Sequence, residues 1–278
     1  MWVTVDHARI YVEQQGQGEP ALLLHGVPDS AELWAPVMAG IQHRYTCYAP
    51  DLPGFYRSQV PPGFRFDLSG YADFVAHLLD ELGLQEPVTL ILHDWGGIFG
   101  MAFACAYPER VARIVGGSFP FSHLYRWHPW ARIWQTPMLG ELSMRLMNRQ
   151  LFAWEVRRGS RRLSHQQICA MYDGRVTSDL SRRTVLRLYR SAAPRRFLMW
   201  QARLQSLARQ VPIDLIWGRD DPYIPTFNAD LLHARSKVLL EHCGHWVPGE
   251  APEALIDLIL HPPAARQADD EPSARVAG

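Results

Sequence analysis

The stretch Leu90-Ile91-Leu92-His93-Asp94-Trp95-Gly96-Gly97 constrains this chain more than any other. An apolar run stops at an acid, a tryptophan and two glycines. A helical spacing of apolar residues then begins at Ile98-Phe99-Gly100-Met101-Ala102. A short run that is apolar at every position reads as a strand buried on both faces, which occurs in sheets with helices packed on both sides. Strand, sharp turn and helix therefore follow one another directly, with Asp94 at the tip, and Gly96 and Gly97 supply the small neighbours that such a turn needs.

The flanking sequence repeats this alternation. Strands are expected at Trp2–Val5, Arg9–Glu13, Ala21–His25, Tyr45–Ala49, Val88–His93 and Val111–Gly116, and helices over Asp67–Leu82, closed by Gly83, and over Gly97–Tyr107. The loop Gly26-Val27-Pro28-Asp29-Ser30 ends in a good helix N-cap. Strands alternating with helices imply a mostly parallel sheet flanked by helices, an α/β fold. The pattern changes from Phe119 to Arg209. There Trp127, Trp130, Trp134, Leu139, Leu142, Met144 and Leu146 recur with helical spacing, followed by Arg-rich helices. Strand signals return at Val211–Trp217 and Lys237–Glu241, and a last helix is expected over Glu250–Leu260. The expected organisation is a core over residues 1–118 and 210–261, interrupted after about the sixth strand by a helical cap over 119–209. The polar tail 262–278, rich in Pro and Ala, is expected to be disordered.

The 278 residues suffice for one large domain with such an insertion. With 28 basic and 28 acidic residues the formal net charge is +0, which gives no reason to expect nucleic acid or an acidic membrane as partner. Cys47, Cys105, Cys169 and Cys243 form no C-x-x-C pair and read as free thiols, with Cys243 beside a candidate site loop and partly reachable. The N-terminus reads directly as strand and no stretch has transmembrane length, so a cytoplasmic location is the expectation. No metal or cofactor is expected, and a monomer or homodimer is.

Three motifs carry chemistry: His25-Gly26-Val27-Pro28, His93-Asp94-Trp95-Gly96-Gly97, and the late pair Trp217-Gly218-Arg219-Asp220-Asp221 with Cys243-Gly244-His245-Trp246. Together, and in this order, they resemble the α/β-hydrolase superfamily along most of the chain, with Asp where the G-x-S-x-G nucleophile elbow has Ser. The closest resemblance is to the Asp-nucleophile branch, the epoxide hydrolases and haloalkane dehalogenases. The resemblance implies that Asp94 attacks a carbon to form an alkyl ester. It implies that His245 activates the water that hydrolyses this ester, and that an acid orients His245. Asp220 and Asp221 compete for that last role; the family spacing, three residues after the Gly of the Trp-Gly pair, selects Asp221. The backbone N–H groups of Val27 and Trp95 are the implied oxyanion donors. His25 and His242 read as structural. Leu92 departs from the small residue usual two positions before the nucleophile.

Epoxide opening leaves an alkoxide that needs a donor, which tyrosines supply; halide release needs N–H donors. Val27 stands where dehalogenases carry an Asn. Leu188-Tyr189-Arg190 resembles the Tyr-Arg near the end of the cap in epoxide hydrolases, with Tyr125 and Tyr172 as weaker candidates. Trp127, Trp130 and Trp134 offer a second indole for a halide, or are core aromatics. The expectation is an epoxide hydrolase giving a vicinal diol from a small apolar electrophile, with water as co-substrate. The alternatives are a haloalkane dehalogenase and a non-catalytic ligand-binding protein of the same fold. Asp51–Ser58 reads as a structural loop near the pocket mouth, and the Arg run from Arg157 to Arg203 as a solvated helical face.

Overall fold

A computed structural model describes residues 1–192 and 194–263. The tail from 264 onward, expected to be disordered, lies outside the described residues. Eight strands form one sheet: β1 Trp2–Val5, β2 Ala8–Gly16, β3 Glu19–Leu24, β4 Tyr45–Pro50, β5 Val88–His93, β6 Val111–Gly117, β7 Ile213–Gly218 and β8 Ser236–Leu240. Their order is β1-β2-β4-β3-β5-β6-β7-β8; β2 is antiparallel to both of its neighbours and all other pairs are parallel. This is the mostly parallel α/β sheet that the alternation predicts. β5 and β7 are buried at every position because helices cover both faces.

The topology gathers the chemistry at one edge. β5 lies at the centre between β3 and β6, and Leu24 pairs with Leu92, so the chain leaving β3 emerges beside the chain leaving β5. Parallel strands end on the same side, and in open α/β sheets that edge is where ligands bind. The loops after β3, β5, β7 and β8 carry Val27, Asp94, Asp221 and His245 respectively.

The turn after β5 is tighter than the sequence implies. The helix starts at Asp94, not Gly97, and runs to Ala106. Asp94 takes φ 50°, a left-handed conformation that costs a non-glycine residue energy and is frequent at functional turns. Close packing explains the glycines. A Cβ on Gly96 would meet Leu24 O at 2.1 Å, and one on Gly97 would meet the Phe119 ring at 2.2 Å. The bulky Leu92 is accommodated by Gly100, where a Cβ would lie 2.4 Å from Leu92 Cδ2. The unusual residue before the elbow is thus matched by a missing side chain two turns into the helix.

Between β6 and β7 the chain is helical: Pro129–Gln135, Leu139–Leu146, Arg149–Gly159, His165–Tyr172, Asp179–Ser191 and Leu198–Gln210. No strand occurs there among the described residues. The last expected helix is broken into Val247–Glu250 and Pro252–Leu260, since Pro252 cannot donate within a continuous helix. Among the described residues no helix is long and apolar enough to cross a membrane.

Candidate active site

Asp94, His245 and Asp221 come together from three loops. His245 Nδ1 donates to Asp221 Oδ2 at 2.9 Å, and His245 Nε2 lies 3.6 Å from Asp94 Oδ2, an ion-pair distance slightly beyond a hydrogen bond. Asp94 Oδ1 accepts the Val27 N–H at 2.8 Å. One carboxylate oxygen therefore sits against a candidate oxyanion donor while the other faces the imidazole. Gly26 permits this approach, since a Cβ there would lie 2.3 Å from Asp94 Oδ1. The Trp95 N–H lies in the first helical turn, where N–H groups have no intrahelical acceptor.

The choice between the two acids follows from burial. The Asp221 carboxylate is 0% exposed, and its second oxygen accepts the Tyr223 and Ile224 N–H groups at 2.9 Å each. Asp220 is 35% exposed and pairs with Arg161 at 3.4 Å. Asp221→Asn is expected to reduce turnover by a factor on the order of 10³–10⁴, because the imidazole loses its orienting acceptor. Asp220→Asn is expected to change stability by less than about 0.5 kcal/mol, as surface substitutions do, and to leave turnover intact. Equal losses in steady-state assays of the two variants would refute this assignment.

Charges in the site are coupled. Burial alone would lower the His245 pKa, but the carboxylates of Asp221 and Asp94 outweigh it and push it up to about 10. Burial would raise Asp94, but His245 holds it below the usual carboxylate range. Both shifts run in the direction that favours a charged imidazole against an ionised Asp94.

Several supporting groups were not legible in the sequence. Glu250 accepts from Gly244 N–H (3.0 Å), Trp246 N–H (3.2 Å) and Arg161 N–H (2.8 Å), clamping the loop that presents His245. His93 Nε2 donates to the His245 carbonyl at 2.9 Å, and the His245 N–H donates to Gly159 O at 2.7 Å. Tyr223 packs edge-on against the His245 ring. Asp29 accepts the Trp246 indole N–H at 3.0 Å, and burial pushes its pKa up to about 6.

An apolar cavity opens above Asp94, walled in part by Phe55, Trp130, Trp134, Met144, Val156 and Val185. Tyr189 and His128 line it as well. The Tyr189 ring stands edge-on to Trp95 at 5.0 Å and to His128 at 6.0 Å. His128 Nδ1 accepts the Ala131 N–H at 3.3 Å as the N-cap of the helix Pro129–Gln135, which leaves the Nε2 proton for other acceptors. The signal that marks His128 in hindsight is its place directly before Pro129, the pattern of a helix start.

The other expected cap residues are elsewhere. The Tyr172 hydroxyl donates to Met147 O at 3.1 Å and that of Tyr125 to Tyr223 O at 3.0 Å, and neither residue lines the cavity. Both phenols are spent as packing anchors. The Trp127 indole donates to Ala192 O at 3.0 Å, so it is no free donor, whereas Trp134 Nε1 is buried without a partner. Cys243 is fully buried rather than partly reachable, and burial pushes its thiol up to about 12. His25 is structural, as expected: Nδ1 bonds Gly26 O and Nε2 accepts Leu52 N–H. His242 is an exposed turn residue at φ 54°.

Buried histidines make the fold acid-sensitive. Burial lowers His25, His93 and His128 from 6.5 to about 4. A depressed histidine contributes stability that is present above pH 6.5 and is lost as the pH falls through about 4. Asp29 acts oppositely, because the cost of its buried charge is relieved as the pH falls from about 6. His245, raised to about 10, also opposes them, but only slightly here because its contribution is nearly complete by pH 6.5. The three lowered histidines outweigh both, so urea unfolding at pH 5 is expected to show a loss on the order of a few kcal/mol relative to pH 7. An unchanged midpoint would contradict the neutral, buried state of these rings.

The α/β hydrolase fold family matches this chain over residues 20–252, and the chain belongs to that family. It is 26% identical over 269 residues to the cis-3-alkyl-4-alkyloxetan-2-one decarboxylase of Shewanella oneidensis, covering 91% of this chain and 84% of that protein. It is 26% identical over 277 residues to haloalkane dehalogenase 2 of Mycobacterium tuberculosis, covering 93% of each. The solved structure of the epoxide hydrolase CorEH superposes with a TM-score of 0.76 at 22% identity, covering 94% of this chain and 96% of that one, which speaks for the fold alone.

Proposed function

We propose that the protein hydrolyses a strained cyclic C–O electrophile, an epoxide in the first instance, through an alkyl ester on Asp94. The observation that carries this reading is the division of labour at the Asp94 carboxylate. Oδ1 rests on the Val27 N–H at 2.8 Å while Oδ2 lies 3.6 Å from His245 Nε2 with no backbone donor among the described residues. Attack by Oδ2 on the epoxide carbon breaks the ring C–O bond and leaves Oδ1 as the ester carbonyl oxygen, already seated on its donor. The ester removes one of the two carboxylate charges that raise the His245 pKa, so the imidazolium gives up its proton, which passes through solvent to the alkoxide left by ring opening, and His245 becomes neutral. Neutral His245 then takes a proton from water, which attacks the ester carbonyl carbon. The oxyanion forms on Oδ1 at Val27 N–H and Trp95 N–H, and the diol leaves as Asp94 is regenerated.

Tyr189 and His128 are the proposed donors to the opening oxygen. Burial raises Tyr189 well above its ordinary pKa, opposed by the Trp95 indole acting on the phenol oxygen. A phenol held well above its ordinary pKa keeps its proton at neutral pH, and Tyr189 lines the cavity where the ring oxygen opens. Tyr189→Phe and His128→Phe are each expected to slow alkylation by roughly 10- to 100-fold, the lower part of the range for acid catalysis, because one donor partly covers for the other. Stopped-flow tryptophan fluorescence reads this step; unaffected rates in the double variant would remove both from the mechanism.

The second reading is haloalkane dehalogenation, favoured by the unpartnered Trp134 Nε1 in the cavity wall and by the dehalogenase relative. Measuring diol against bromide release separates the two. Epoxides are expected to be turned over faster than bromoalkanes, and the reverse order would replace this proposal. The decarboxylase relative adds an alkyl oxetanone to the panel, since its ring C–O bond is open to the same attack.

A further inference from the structure

The helix Asp179–Ser191 runs along the cavity. Its residues Ser181, Val185 and Tyr189 line the wall at intervals of four, the spacing of a single helix face, with Arg182 beside them. Tyr189 marks the nucleophile end, against Trp95. Ser181 lies eight positions earlier, roughly 12 Å along the axis. Arg175 lies beside the first turn of this helix, because the carbonyl of the next residue, Val176, accepts Arg182 Nε at 2.8 Å, and Arg175 lines the cavity as well.

This end of the cavity is rich in donors and short of acceptors. Arg175, with its side chain 7% exposed, pairs through Nη2 with Glu32, and its Nε has no acceptor among the described residues. Ser181 is 3% exposed and its hydroxyl has no partner among the described residues. Arg182 is engaged by Asp179 only at 3.9 Å. The facing acids Glu32 and Asp179 are 48% and 84% exposed, so water screens them more than it screens the cavity side. Asp29, the remaining acid near Arg175, is bonded to the Trp246 indole. Buried donors without acceptors are costly and rarely kept without a use. The rest of the lining is mostly apolar, with Met144, Met147, Phe152, Val156 and Val185, and its one further acid, Glu155, is engaged by the Tyr223 hydroxyl at 3.0 Å and by Arg158 at 3.0 Å.

We propose that Arg175, Ser181 and Arg182 form a carboxylate subsite, and that the substrate is an amphipathic acid with its electrophilic carbon at the opposite end. A span of roughly 12 Å corresponds to roughly nine or ten carbon–carbon bonds of about 1.5 Å in zigzag. The length requirement rests on Asp94 as the nucleophile; the preference for an anion does not.

Two measurements separate these parts. Binding of decanoate and of decanol, neither of them an electrophile, is followed by quenching of the cavity tryptophans. Decanoate is expected to bind about tenfold or more tightly than decanol, as hydrogen bonds to a charged group imply. Ser181→Ala and Arg182→Gln are each expected to lose several-fold of that preference. Both leave the Arg175–Glu32 pair in place; Ser181→Ala removes no hydrogen bond of the hydroxyl, and urea unfolding checks Arg182→Gln, which loses the bond to Val176 O. Equal binding of acid and alcohol, or a preference untouched by both variants, overturns the subsite. The second measurement compares kcat/KM for the terminal epoxide of undecenoic acid and for its methyl ester, with the acid expected to lead through a lower KM. Preferential decanoate binding without turnover of either epoxide upholds the subsite and refutes the reaction. Turnover of both epoxides at equal kcat/KM upholds the reaction and overturns the subsite.

Discussion

Asp94→Asn is expected to lower turnover by a factor on the order of 10⁴ or more while the protein remains folded, the scale seen when one member of a catalytic unit is removed. Asparagine suits the test because it tolerates the left-handed conformation that Asp94 adopts at φ 50°. Its amide oxygen can still accept the Val27 N–H that Asp94 Oδ1 accepts at 2.8 Å. What is lost is the anion, and a neutral amide does not displace an alkoxide or a halide. Asp94→Ala is expected to be equally inactive, with a modest added cost in stability at the same φ. Circular dichroism and urea unfolding establish the folded state. Appreciable activity in a folded variant of either kind would remove Asp94 from the chemistry.

His245→Gln is expected to separate the two half-reactions. Attack by Asp94 on an epoxide or alkyl halide needs no base, so alkylation persists. The ester then loses the imidazole nearest Asp94 Oδ2, at 3.6 Å, and His93 is spent on the His245 carbonyl at 2.9 Å. The expected result is a burst of about one equivalent per site and then no further product. Intact mass is expected to rise by the mass of the added substrate, less the halide if one leaves, and peptide mapping should find it on Asp94. A variant that neither accumulates adduct nor turns over would mean that His245 acts in the first step, and the charge-release account above would fail.

Strands buried on both faces read directly from sequence because nothing competes with their uniform apolar runs; β5 begins and ends where the apolar run does. The proposed triad was legible through the resemblance of three motifs to those of the hydrolase family, each of which follows a strand. The edges of elements were less so. The helix after β5 starts at Asp94 because the turn is closed by strained backbone rather than by a loop, and strain leaves no composition signal. The helical insertion was legible as helical but not as a wall. Tyr125, Tyr172 and Tyr189 look alike in sequence, and only packing decides that one phenol faces the cavity while the other two bond carbonyls. His128 was missed because one histidine among tryptophans has no periodic signature. Arg175 and Arg182 were hidden in an arginine-rich stretch that reads as solvated surface, and most of that stretch is.

The central claim is that oxygen in the product comes first from Asp94 and only later from water. A single turnover of a styrene-type epoxide in ¹⁸O-water, with enzyme in excess, tests it most directly. The predicted result is an unlabelled diol, with the label found in the Asp94 carboxylate after digestion, since water attacks the ester carbonyl carbon and not the substrate carbon. A diol labelled in that first turnover, with Asp94 unlabelled, would mean that water opens the ring directly and would contradict the covalent account.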